Sequence, residues 1–119
     1  TEAAQALPVP IFVAGQFGGT EGYCEAIASG LYAALSVSAQ LNGESAPMLP
    51  DETAFGALIA YATSPETQDY QPMHVNFGIM KPFEKKIRNK RERYAAYASR
   101  GDEALQGYVE ALHKKGLIG

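Results

Sequence analysis

The chain reads as an α/β segment of 119 residues, mostly helical with one short strand. Three observations predict this class. Val9–Ala14 is a short apolar, β-rich run bounded by Pro10 and Gly15, the pattern of a buried strand. Gly15–Gly22 then carries four glycines in eight residues, which predicts a tight loop. Behind it, apolar side chains recur at helical spacing to the end of the chain.

The elements follow in order. Glu21–Leu41 has Tyr23, Ile27, Leu31, Leu35, Ser38 and Leu41 in helical register, with Gly43 as its stop. Many other positions there are small (Ala26, Ala28, Ser29, Gly30, Ala33, Ala34), which lets a helix approach its neighbour closely. Glu44–Pro50 is a connector. Asp51–Thr63 is a short helix with Phe55, Leu58, Ile59 and Ala62 on one side and Asp51 or Thr53 as its cap. Ser64–Glu66 is a turn, and Pro72 and Gly78 make Tyr70–Met80 irregular or extended. Pro82–Ser99 is a third helix, with Pro82 in its first turn and Phe83, Ile87, Tyr94, Tyr97 and Ala98 on one arc. Gly101 breaks the pattern, and Asp102 caps a fourth helix through Leu105, Tyr108, Val109 and Leu112 that Gly116 closes.

A lone strand has no ladder, so its backbone groups would be unpaired. Either the chain is essentially helical or its strand joins a sheet supplied from elsewhere. The second case makes the chain part of a longer protein; its start at Thr1 rather than methionine reads as a chain that is processed, tagged and trimmed, or cut from something longer.

Composition removes several classes. An apolar fraction of 46% is that of a globular chain, neither disordered nor collagenous. The longest apolar stretches run to about ten residues, half of a membrane span, and no signal peptide opens the chain. The single Cys24 cannot pair internally and fits a reducing cytoplasm. With His74 and His113 it does not make a zinc site.

Charge is divided. Residues 1–80 hold eight acids and no Lys or Arg, whereas residues 81–119 hold all ten Lys and Arg and five acids. Seven of the ten lie in Lys81–Arg93. Such asymmetry points to a polyanion partner, or to a solvated helix face or an intramolecular partner for the acidic half.

A strand, a glycine loop and a helix place backbone N–H groups and a positive helix end at the strand's carboxyl edge. That suits a phosphate or an electron-rich ring. The spacing is not that of the dinucleotide fingerprint, and on spacing alone a structural turn is the better reading.

As residues, AGQFGGTEGYCEAIASGLYAA resembles the last flavin-contacting loop and helix of FAD-containing tRNA-modifying enzymes. Tyr70-Gln71-Pro72-Met73-His74-Val75-Asn76-Phe77-Gly78 resembles a motif of the folate- and FAD-dependent tRNA (uracil-5-)-methyltransferases, the TrmFO family. The Gln71-Pro72-Met73 segment argues against the related enzymes that build carboxymethylaminomethyl-uridine. Glu84–Arg93 followed by Tyr94–Ala98 resembles the methyltransferases' basic C-terminal helix.

The resemblance runs from about Pro10 to Ser99. It implies the C-terminal portion of a Rossmann-like FAD-binding domain, with residues 9–80 as the flavin-domain portion, 81–119 as basic helices, and the amino-terminal part absent. It implies an enzyme that methylates C5 of a T-loop uridine in tRNA, using methylenetetrahydrofolate and reduced FAD. This chain, without the family's catalytic cysteines, is expected to be inactive alone. Gly15 and Gln16 would face the flavin, Gly19, Gly22 and Tyr23 would shape the pocket floor, and Asn76 and Phe77 would line its folate side. Lys85, Lys86, Arg88, Lys90, Arg91 and Arg93 would meet tRNA phosphates, with Tyr94 packing or stacking. His74 stands where the family usually has asparagine, and Phe17–Thr20 departs from its commoner sequence. Cys24 is expected to pack on the helix. The expected partners are tRNA and the rest of the FAD domain, with no membrane. The alternative is a free-standing helical RNA-binding module without flavin chemistry.

Overall fold

The structure, a computed structural model, describes residues 9–119. Its regular elements are three α-helices, α1 (Tyr23–Leu41), α2 (Ala54–Thr63) and α3 (Lys90–Lys114), with 3₁₀ turns at Gly15–Gly18 and Phe77–Ile79. No strand forms among the described residues; the one β-type pairing is an isolated parallel bridge between Thr20 and Met73. Val9–Ala14, predicted as a buried strand, is irregular, and Val9, Ile11, Phe12 and Val13 are exposed. The physical reason is the one the sequence raises: among the described residues no neighbouring strand offers a ladder.

The helix ends follow local chemistry. Gly43 leaves α1 at φ +72° and donates to Gln40 O at 3.0 Å. Thr53 starts α2, its Oγ1 accepting from Gly56 N at 3.0 Å. Gly116, at φ +69°, closes α3 by donating to His113 O, while Leu117 N donates to Leu112 O.

Two expectations about the C-terminal half are overturned. The predicted helix over Pro82–Ser99 begins only at Lys90, so Lys85, Lys86 and Arg88 lie in an irregular approach segment. Asn89 fixes the start: its Oδ1 accepts from Glu92 N at 3.0 Å, half of an Asn-x-x-Glu capping box. Extending the helix backwards would set Lys86 over Lys90 and Arg88 over Arg91, like charges at destabilising spacings. Nor does Gly101 break the pattern, because α3 runs unbroken through it and Asp102. The glycine serves packing: a Cβ there would meet Glu52 O at 3.3 Å, so its absence lets α3 lie against the start of α2.

A small core gathers Ala57 of α2, Met80 and Tyr97 of α3, with Ile79 and Phe83 packed against it. Phe83 reaches this core from the approach segment, not from a helix face. Arg100 fastens that segment: its guanidinium lies 4.4 Å from the Phe83 ring centroid and donates to Lys81 O at 2.7 Å. Helix α1 turns Ser29 and Ala39 inward, with Tyr32 and Leu35 half-buried. Ser29 and Ala39 are buried, whereas Tyr23, Ile27 and Leu31, one stripe at i, i+4, i+8, are 93%, 73% and 63% exposed.

Two glycine substitutions separate packing from propensity. A Cβ at Gly56 would fall on Pro50 O and within 2.6 Å of Thr53 Oγ1, whereas one at Gly107 meets nothing within 4 Å. Gly56→Ala is expected to destabilise by about 1–3 kcal/mol, as overpacking does. Gly107→Ala should stabilise by about 0.5–1 kcal/mol through helix propensity. Urea midpoints of the two variants check this, and equal shifts would contradict it.

Candidate functional site

The glycine loop is folded by its own backbone. Gly15 and Gly19 take φ +69° and +96°, a region open to glycine at little cost. Gly19 N donates to Gln16 O at 3.0 Å and Thr20 N to Gly15 O at 3.2 Å. Ser29 of α1 anchors the loop from behind, its Oγ accepting from Gly15 N at 2.7 Å and donating to Ala26 O at 2.8 Å.

The second motif docks on this loop. Glu21 N donates to Met73 O at 3.1 Å beside the Thr20–Met73 bridge. The Tyr70 hydroxyl donates to Gly19 O. Burial first, and Tyr61 second, raise the Tyr70 phenol above its ordinary pKa, so it keeps the proton it donates. Glu25 of α1 completes the joint: its Oε1 accepts from Val75 N at 3.3 Å and lies 3.6 Å from His74 Nδ1. Gly22 makes room for this approach, since a Cβ there would fall on the Glu25 carboxylate and 2.6 Å from His74 Nδ1.

Together these segments wall a groove of about 620 Å³, lined by Gln16, Thr20, Glu21, Gly22, Tyr23, Cys24, Glu25, Ala26 and His74. Thr20 is 2% exposed, and its Oγ1 has no hydrogen-bond partner among the described residues. The Glu25 carboxyl sits below its ordinary pKa of 4.5, held there mainly by its own backbone N–H at the start of α1, and further by Val75 N–H and His74. A carboxylate therefore already occupies the positive end of α1. Of the two ligand types that the loop pattern suggests, the groove favours a polar ring edge over a phosphate.

The predicted site residues divide. Gln16, Gly22 and Tyr23 line the groove; Gly15 and Gly19 build the loop behind it. Asn76 lies outside the groove lining, bracing a 3₁₀ turn: its Oδ1 accepts from Gly78 N at 2.9 Å and its Nδ2 donates to His74 O at 3.3 Å. Cys24, expected to pack on the helix, is instead exposed at the groove, in the first turn of α1. The sequence reading missed Thr20, Glu25 and His74 as groove residues. An acid in the first turn of α1 was the available signal for Glu25; Thr20 and His74 depend on the docking of two distant segments.

The basic residues form a second surface. Lys85, Lys86 and Arg88 on the approach segment and Lys90 and Arg91 at the start of α3 are exposed, with Arg93 half-buried. Among the described residues, no Lys or Arg nitrogen lies within 4.0 Å of a carboxylate. An intramolecular acidic partner for this segment is therefore not seen there. Nor, among the described residues, is any helix long and apolar enough to cross a membrane.

The comparisons with known proteins agree with this architecture at two levels. The class comes from the glycine loop and α1: residues 8–45 match the family described as Glucose inhibited division protein A. The particular relatives are proteins named methylenetetrahydrofolate–tRNA-(uracil-5-)-methyltransferase TrmFO. The chain is 46% identical over 99 residues to that of Bacillus cytotoxicus, covering 83% of this chain and 23% of the relative. It is 44% identical over 102 residues to that of Bacillus pumilus, covering 86% and 24%. The resemblance carried by the two motifs is thus borne out, and the chain spans about a quarter of the length of these relatives.

Glu25 gives the site a pH signature. A carboxyl whose pKa is lowered by folding stabilises above its unfolded value and loses that stabilisation as pH falls through the folded one. Relative to Glu25→Gln, the native chain is expected to be more stable at pH 7. The difference should shrink below pH about 4.5. Thermal unfolding of both proteins from pH 7 to pH 3 checks this; a constant difference would show that the carboxylate charge is not what joins the segments.

Proposed function

We propose that this chain is part of a flavoenzyme that transfers a one-carbon unit to C5 of a uridine in tRNA, with methylenetetrahydrofolate as carbon source. The observation that carries this reading is the meeting of two distant motifs, Gly15–Tyr23 and Tyr70–Gly78, in one groove, in a chain similar to the TrmFO methyltransferases. A free-standing module would need no such groove.

The groove residues suit a flavin. The Gln16 amide supplies both donors and an acceptor for a ring edge with alternating polarity. Gly22 keeps the wall free of side-chain bulk, and the exposed Tyr23 ring offers an apolar border. When bound, FAD supplies the reducing equivalents and the folate the carbon. The chain's own residues bind and orient: Tyr70 and Glu25 hold the second motif against the loop and so fix the groove's width. The exposed stripe Tyr23–Ile27–Leu31 and the extended Val9–Ala14 segment are the faces on which the rest of a flavin domain would pack, the sheet supplying the ladder that Val9–Ala14 lacks here. The single Cys24 fits work in a reducing compartment such as the cytoplasm.

The basic segment would meet the tRNA backbone. Lys90, Arg91 and Arg93 stand in the first turn of α3, where the helix macrodipole disfavours cations. Phosphates bound alongside would relieve that conflict.

In the full-length protein, Lys86→Glu with Arg88→Glu should weaken tRNA binding and reduce the slope of log K against log salt by about 2, one for each phosphate no longer neutralised. Filter binding across a salt series measures both. Gly22→Val should abolish the flavin absorbance of the purified protein. Retention of flavin by that variant would remove the groove as its site, and unchanged tRNA affinity in the charge-reversed protein would remove the basic segment as an RNA-binding surface.

A further inference from the structure

An aromatic pair stands open beside the basic segment. The Phe77 and Tyr94 rings stack at 4.3 Å between centroids and 15° between planes, and Phe77 also lies 5.1 Å from the buried Tyr97 ring. Despite this packing Phe77 keeps 43% of its surface exposed and Tyr94 36%. Cations lie over the Tyr94 ring: Lys90 Nζ is 5.4 Å, and the Arg93 guanidinium carbon 5.7 Å, from its centroid. Arg93 is itself held, donating to Ile87 O at 3.2 Å.

We propose that Phe77 and Tyr94 form a stacking platform for an unpaired RNA nucleobase, with Lys90 and Arg93 positioned to meet the phosphates of the same nucleotide and its neighbour. The proposal rests on the RNA binding proposed above and adds what that surface reads. An exposed aromatic surface loses its hydration cost when a flat ring covers it, and every nucleobase presents such a face. A duplex hides its base faces within its own stack, so the ligand is single-stranded, a loop or a flipped base. An acidic peptide would satisfy the cations but leave the rings uncovered.

The platform is also braced. Asn76 accepts from Gly78 N at 2.9 Å, and Met80 N donates to Phe77 O at 3.3 Å, which sets Phe77 in a fixed 3₁₀ turn on α3. That turn begins three residues after His74, which lines the groove. A base on Phe77 is therefore held by the same segment that borders the proposed flavin site.

The test uses the full-length protein and a single-stranded RNA of about 12 nucleotides, within the site sizes of such surfaces. The strand carries 2-aminopurine, and a matched strand carries abasic sites. Binding of the native protein is expected to quench 2-aminopurine and to favour the base-bearing strand. Phe77→Leu keeps apolar volume on the core while removing the ring. It should weaken binding of the base-bearing strand about 5- to 150-fold, the range for removing one stack. Quenching should disappear, while abasic affinity and the salt slope stay unchanged. Lys85→Glu with Lys86→Glu should do the reverse, lowering the salt slope while quenching at saturation persists. Unchanged quenching in Phe77→Leu, or equal weakening for both strands, overturns the platform and leaves the phosphate binding standing. If the native protein binds neither strand at low salt, the RNA binding itself falls and the platform with it.

Discussion

The architecture of the candidate site depends on a short backbone joint: Glu21 N donating to Met73 O, beside the parallel bridge of Thr20 with Met73. Two segments separated by some fifty residues meet there, and neither alone encloses anything. Around the joint, side chains make the remaining connections. Tyr70 reaches back to Gly19 O, and Glu25 reaches across to Val75 N. Each connection satisfies a backbone group that would otherwise lack a partner. The groove is a consequence of this satisfaction, and its width is set by glycine at position 22, where any side chain would collide with the joint.

The same economy of close approach runs through the rest of the fold. Gly56 lets α2 lie against the Pro50 carbonyl, and Gly101 lets α3 lie against Glu52. Ser29 and Ala39 let α1 turn its narrow face inward. Tyr23, Ile27 and Leu31 of α1 are left outside, as is the apolar Val9–Val13 run. The buried apolar side chains among the described residues, Ala39, Ala57, Leu58, Met80, Tyr97, Tyr108 and Leu112, are few for a chain this long. The unburied apolar stripe is consistent with a chain spanning about a quarter of its relatives.

Much of this was legible in the sequence. Gly43 and Gly116 marked helix ends, and Thr53 was one of two candidate caps for α2. The resemblance implies that the glycine loop and the second motif share one site, and in the structure the two segments meet where Glu21 N donates to Met73 O. The errors have local causes. Pro82 suited a helix start, but the Asn89–Glu92 box and the crowding of like charges placed it at Lys90. Gly101 looked like a break because helix propensity disfavours glycine, and packing against Glu52 outweighed that small cost.

What the sequence determined by itself was the helical periodicity, the positions of caps and stops, the glycine loop and the concentration of basic charge after residue 80. These depend on residues within a few positions of one another. Only the tertiary structure decided that Val9–Ala14 forms no strand among the described residues, that Glu25 accepts from Val75 N, and that Phe77 stacks on Tyr94. A strand needs a neighbour to pair with, a carboxylate takes the nearest unsatisfied N–H groups, and rings stack where distant backbone brings them together. Those partners lie far along the chain, where periodicity and spacing carry no information.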